Sequence, residues 1–263
     1  MNEEIVEELE NWFNNYVQKF KSGNPDWQPN IILKEEHTRR VCKEILGIGR
    51  KIGLSDDDLR LAKVVALFHD IGRFEQFARY QTFVDSKSVN HAVLGVKILK
   101  ENRVLNMLDK SVRDLILRAI LYHNRFALPK KETEKCLLFA KLLRDADKLD
   151  IWRVVTDYYR QKDGKRNAAI ELDLPDTPGI SSDVYKDLMD KKIVNFAHLK
   201  NLNDFKLLQI GWVYDINFVQ TLQCVQERCY LEMIRDVLPK SEKIAEIFDV
   251  LQTHMNEQIL LSF

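Results

Sequence analysis

Apolar residues recur every three or four positions along most of this 263-residue chain, a period that belongs to the helix rather than the strand. Ile5, Leu9, Trp12, Phe13, Tyr16 and Phe20 make one such stripe over 3–20. The stripes run long because breakers are few: nine glycines and six prolines, and inside a helix a glycine costs about 1 kcal/mol and a proline about 3. The spacing predicts further helices over 31–52, from Ser55 to a stop at Gly72, and over 73–80, 88–101, 111–123, 133–161, 182–194, 201–237 and 241–258. Ser55 with Asp58, Ser111 with Asp114, Ser88 and Ser241 read as helix starts. SGNPDWQPN at 22–30 reads as a break. The longest irregular stretch, 161–182, holds Gly164, Pro175, Pro178 and Gly179 and has the make-up of a functional loop. Alternating patterns are confined to 193–196 and 260–263, too short to weigh, so the fold class is all-α.

Lys plus Arg number 40 and Asp plus Glu number 40, so no basic excess favours a nucleic-acid polymer or an anionic membrane as partner. No apolar run reaches the ~18–20 residues that cross a bilayer. The opening MNEEIVEELENWF is acidic and lacks the charged-then-apolar order of a secretory signal. Cys42, Cys136, Cys224 and Cys229 have neither zinc-knot nor redox spacing. They read as idle or buried thiols of a reducing compartment, the cytoplasm.

The chemistry concentrates in histidines and aspartates. His198 and His254 carry no partner signal, whereas His37, His69, His91 and His123 fall on four different predicted helices. His69 is followed by Asp70, directly after the apolar run VVALF. Neighbouring residues of a regular helix point about 100° apart, so the pair can share a ligand only where the helix ends or bends. A carboxylate delivered to a core is costly unless it is paired or bound to a cation. A metal answers that cost, and imidazole with carboxylate suits Mn, Fe, Co, Ni or Zn better than Ca or Mg. RDADKLD adds Asp145, Asp147 and Asp150 on the helix 133–161. Taken singly, each feature is also what a core histidine or a solvated helix face with pairs such as Lys141–Asp145 provides.

Together, EEHTRRV (His37), ALFHDIGRF (His69, Asp70) and RDADKLD resemble the HD-domain metal-dependent phosphohydrolase superfamily, over roughly 31–155. The resemblance implies an all-α HD-domain bundle with metal ligands His37, His69, Asp70 and, as the Asp before Lys148, Asp147 rather than Asp145. NHAVLGVKIL and ILYHNRFALP are similar to the extra histidine segments of two-metal HD proteins, which implies His91 and His123 as further ligands. The GYP text of cyclic-di-GMP phosphodiesterases is absent after His123, where NRFALPKK follows.

The implied activity is hydrolysis of a phosphate ester, of a small molecule or nucleotide, by metal-activated water. One or two divalent transition ions (Mn, Fe, Co, Ni or Zn) would serve, with Asp70 as the bridging, catalytic ligand. Arg73 and Lys148, and next Asn124 and Arg125, are the candidates for binding substrate phosphate. Two other readings stay open: a di-iron oxygenase resembling myo-inositol oxygenase, with the same six ligands, and a catalytically idle HD binding module. The expected organisation is an N-terminal helix and linker (1–30), the metal-binding core (31–160) and a helical C-terminal extension packed on it (161–263). In that extension 201–237 reads as one long apolar helix with Trp212, Tyr214 and Phe218 in its core, and Asp215 and Asn217 as candidates to face the site. The sequence names neither the substrate nor the oligomeric state.

Overall fold

The computed structural model describes residues 1–21, 24–160 and 167–261, and every regular element among them is helical. The chain divides into two compact units, Met1–Asp150 and Ile151–Phe263. The first contains α1 (Glu3–Lys21), α2 (Gln28–Lys51), α3 (Asp56–Phe68), α4 (Ile71–Tyr80), α5 (His91–Glu101) and α6 (Lys110–His123). It also holds most of the long helix α7 (Glu134–Arg160), within which the division falls.

Helix α1 opens on Glu3 and Glu4 and closes on Lys19 and Lys21, charges that complement its dipole. Its buried face is Val6, Leu9, Phe13, Tyr16 and Val17, with Ile5, Trp12 and Phe20 at the rim. Phe13 meets Phe68 and Phe74 edge-on, at centroid distances of 6.5 and 6.0 Å, and so ties α1 to α3 and α4. Helix α2 starts earlier than its sequence suggests. Pro29 occupies its first turn, where a missing N–H is harmless; Ser22 and Gly23 of the expected break lie outside the described residues.

The Ser55 hydroxyl caps α3 by accepting from the Asp58 amide at 3.2 Å, as expected. The expected stop at Gly72 is wrong. Helix α3 ends at Phe68, Asp70 precedes α4 at φ −104°, ψ 14°, and Gly72 lies inside α4. Its role is close approach: a Cβ there would sit 2.1 Å from the His91 carbonyl oxygen and 2.7 Å from the Gly95 nitrogen. A Cβ on Gly95 would in turn stand 3.3 Å from the Gly72 nitrogen. Two glycines thus let the main chains of α4 and α5 touch, and the first residue of α5 is His91. The cap of α5 is Asn90, accepting from the Val93 amide at 3.0 Å, not Ser88. Ser88 instead donates to the Val84 carbonyl and accepts from Gln76. Helix α6 begins at Lys110, one residue before the expected Ser111.

The second unit holds α8 (Ala168–Glu171), α9 (Ser182–Met189), α10 (Leu202–Gly211), α11 (Val219–Glu227), α12 (Tyr230–Arg235) and α13 (Glu242–Leu260). The single helix expected over 201–237 is three. A 3-10 turn at Trp212–Asp215 is followed by extended backbone at Ile216 and Phe218, and Cys229 sits at φ 54°. Asp215 and Asn217 mark the first break, where the Asn217 amide donates to the Asp215 carbonyl at 3.2 Å. Short polar side chains of this type bond to nearby backbone and favour turns over helix interior. The helix expected to reach 194 stops at Met189, and the strand candidate 193–196 runs into a 3-10 turn, Phe196–His198. Of the irregular stretch 161–182, residues 161–166 lie outside the described residues; of 260–263, so do 262 and 263. Trp152, wholly buried, centres this unit. Its indole donates to the Gln209 carbonyl at 3.0 Å and its ring lies 5.9 Å from Trp212.

Candidate metal centre

All four site histidines and Asp70 are buried in the first unit. The chain places them by helix ends. His69 caps the C-terminus of α3 and Asp70 the N-terminus of α4, so the kink between the two helices turns adjacent side chains inward. His91 opens α5 and His123 closes α6. His37 alone lies in mid-helix, on the buried face of α2.

The ligand atoms gather in two trios, His37–His69–Asp70 and Asp70–His91–His123, each within 4.8 Å and each able to hold a metal ion. Asp70 serves both with different oxygens. Its Oδ2 lies 3.7 Å from Nε2 of His37 and 3.7 Å from Nε2 of His69. Its Oδ1 lies 3.3 Å from Nε2 of His91 and 3.8 Å from Nε2 of His123. Asp147 of α7 joins the first trio only, its Oδ1 standing 3.1 Å from His37 Nε2 and 3.8 Å from His69 Nε2.

Each imidazole has its other nitrogen engaged. His37 Nδ1 donates to Asp150 Oδ2 at 2.6 Å, and His91 Nδ1 to both Asp85 oxygens at 2.9 and 2.8 Å. His69 Nδ1 donates to the Ala66 carbonyl at 2.7 Å, and His123 Nδ1 to the Ile120 carbonyl at 2.6 Å. Carbonyls and ionised carboxylates only accept, so the hydrogen sits on Nδ1, and the rings of His69, His91 and His123, whose pKa burial lowers, present an Nε2 lone pair to the centre. Burial lowers the pKa of His91 and of His123 to about 4, so both rings are neutral at pH 7. Their Nε2 atoms then face each other at 2.9 Å as two lone pairs. A shared cation removes that conflict, and the donor set (imidazole nitrogens with carboxylate oxygens) is one that transition ions prefer.

Burial pushes the Asp70 carboxyl up, but Lys34, His69, Arg73 and His91 outweigh it and hold it well below the ordinary carboxylate range. Burial and Lys34 push His37 down, yet Asp147 and Asp150 win and its pKa ends raised. Asp150 is itself held by Arg40, whose Nε and Nη2 stand 2.5 and 3.1 Å from its two oxygens. Asp85 accepts from Arg73 and Gln76 at 2.9 Å each and from Asn124 at 3.2 Å. Against the burial, the His91 ring first and then Arg73 and Gln76 bring its pKa down to about 2.

The residues that sequence put forward for substrate phosphate have the following partners. The Arg73 guanidinium is turned to Gln76, the Phe83 carbonyl and Asp85, with Nε 3.5 Å from Asp70 Oδ1. Asn124 braces Asp85. Arg125 stacks on the Tyr122 ring at 4.9 Å. Lys148 is buried on α7. Asp145 is buried two positions before Asp147, about 200° around the helix from it. The other two histidines belong to the second unit, where His198 donates to Asp187 at 2.6 Å and His254 packs on the Tyr214 ring.

Two groups at the centre have no counterpart among the sequence candidates. Lys34 places its ammonium 2.8 Å from Asp70 Oδ2. It lies three residues before His37, hence on the same helix face, which is the one signal for it. Asp85 comes from the loop between α4 and α5, where no periodicity points to it.

The HD domain family model matches residues 35–152, which contain all six candidate ligands, and this part of the chain is an HD domain. HD domains are mostly metal-dependent hydrolases and are all-α. No curated protein and no solved structure matched the chain. No helix among the described residues is long and apolar enough to cross a membrane.

Proposed function

We propose that the protein is a metal-dependent phosphohydrolase that cleaves a phosphate ester of a small molecule or nucleotide with activated water. The observation that carries this reading is the convergence of four Nε2 atoms on the two oxygens of one buried carboxylate. His37, His69, Asp70 and Asp147 would hold one divalent transition ion, and Asp70, His91 and His123 a second. Ions so held supply Lewis-acid activation of water near neutral pH and neutralise charge on the phosphoryl oxygens.

The chain's own part is positioning. Asp150 and Asp85 hold Nδ1 hydrogens on His37 and His91, and the Ala66 and Ile120 carbonyls do the same for His69 and His123, so each ring turns its Nε2 toward the centre. Asp70 is kept ionised by the cations beside it and so presents both oxygens at once. Burial of the rings excludes bulk water and strengthens each charge interaction within the site.

The test is a panel of phosphate monoesters, diesters and nucleotides, assayed on protein loaded with Mn, Co, Ni or Fe and on chelated protein. Release of phosphate that needs the metal and vanishes with chelator is expected. A loaded protein that is inert on the whole panel but consumes oxygen with a bound di-iron centre would replace this reading with the oxygenase.

A further inference from the structure

Around Asp70 two cations compete for one carboxylate. Arg73 lies on the Oδ1 side, where its Nη1 donates to Gln76, the Phe83 carbonyl and Asp85 and its Nε, buried and without a hydrogen bond, stands 3.5 Å from Oδ1. Lys34 lies on the Oδ2 side with one polar partner among the described residues, Oδ2 itself at 2.8 Å, and the face of Phe83 stands 5.4 Å from ammonium to ring centroid. The side chain is 18% exposed and reaches the site on a flexible four-carbon stem. Oδ2 is also the oxygen on which His37 and His69 converge. A divalent ion held there would neutralise the charge that holds Lys34 and would repel the ammonium. Phe83 still favours the cation on its face, and the stem lets the head move a few ångströms without leaving the site.

We infer that Lys34 is the anion-binding residue of this centre, resting on Asp70 until a metal takes Oδ2 and then available to a phosphoryl group at the same place. The inference rests on the phosphohydrolase reading for the identity of the anion, and it assigns the role to a residue outside the four that sequence put forward. Those four have other engagements: Arg73 and Asn124 brace Asp85, Arg125 lies over Tyr122, and Lys148 is buried on α7. An ammonium suits the role because it is a point charge with freely turning donors, which can leave one oxygen for another without a fixed geometry.

Inorganic phosphate is the probe, so turnover is not needed. Calorimetric titration of Mn-loaded wild type, Lys34→Arg and Lys34→Met with phosphate, with metal content measured in parallel, reads the role directly. Lys34→Met is expected to keep its metal and to bind phosphate about tenfold to a hundredfold more weakly, the loss of one charged hydrogen bond. Lys34→Arg should fall between the two. Phosphate affinity within about twofold of wild type, with metal retained, overturns the assignment. So does a wild type that takes up metal and binds no phosphate. If Lys34→Met does not fold, acylation of lysines in the wild type, read by mass spectrometry, decides the matter. Lys34 should become more reactive on Mn loading and be protected again by phosphate, and a reactivity that phosphate leaves unchanged rejects the idea. A protein that binds phosphate through Lys34 yet hydrolyses nothing would sink the proposed reaction and leave this assignment standing.

Discussion

The two trios around Asp70 are built alike in their histidines and unlike in their charge. In each, one ring is held at Nδ1 by a carboxylate (His37 by Asp150, His91 by Asp85) and the other by the carbonyl three residues earlier (His69 by Ala66, His123 by Ile120). The histidines of each pair are separated by 32 positions in sequence. Beyond that the likeness ends. The first trio has Asp147 in reach and Lys34 on its shared oxygen; the second has no further carboxylate facing its Nε2 atoms among the described residues, and two lone pairs opposed at 2.9 Å. A cation is favoured by anionic charge, so the first trio should bind the tighter ion and the second the more exchangeable one.

The largest effect should come from the residue both trios share. Asp70→Ala should bring bound metal, measured by elemental analysis, and hydrolysis to background while circular dichroism stays helical. Full metal content in that variant would mean the trios are not the site. Next, His91→Ala/His123→Ala should lose one of two equivalents in a titration of apo protein with Mn. The loss of both equivalents, or of neither, would break the division into two half-sites. Gly72→Ala forces apart main chains that leave 2.1 Å for a Cβ, and overpacking of this kind costs about 1–3 kcal/mol. A lowered melting temperature should come with weakened binding at the second trio alone, since His91 is the group displaced. Smallest, Asp85→Asn and Asp150→Asn should each weaken metal about 10–100-fold, as removal of a carboxylate behind a ligating imidazole does. Each should act on its own trio; equal losses at both would show that the two are not independent.

Much of the first trio is legible in the sequence. A His-Asp pair after VVALF cannot stay buried on a regular helix, and the structure ends α3 there. Gly72 was visible but misread, because a glycine shortly after an apolar run signals a helix stop, whereas its use here depends on Gly95, twenty-odd residues on, lying against it. Lys34 and Asp85 were out of reach for opposite reasons. A lysine on an amphipathic helix is commonplace, and a loop aspartate has no period to betray it. Arg73 was found for its position beside Asp70, but which acceptors a guanidinium chooses is decided by the loop that folds over it, here through Phe83 and Asp85. In the second unit the apolar pattern runs unbroken across 201–237, so the interruption at Asp215–Asn217 was outweighed by its surroundings.

The contact between Gly72 and Gly95 also bears on which ions the second trio accepts. Asp70 leads into α4 and His91 starts α5, so carboxylate and imidazole both spring from backbones held in contact. With the main chains in contact, any adjustment to a larger or smaller ion would fall on the side-chain torsions or part the helices. Selection by ionic radius would then be a property of a helix crossing, open to change by a single methyl group placed away from the ligand atoms.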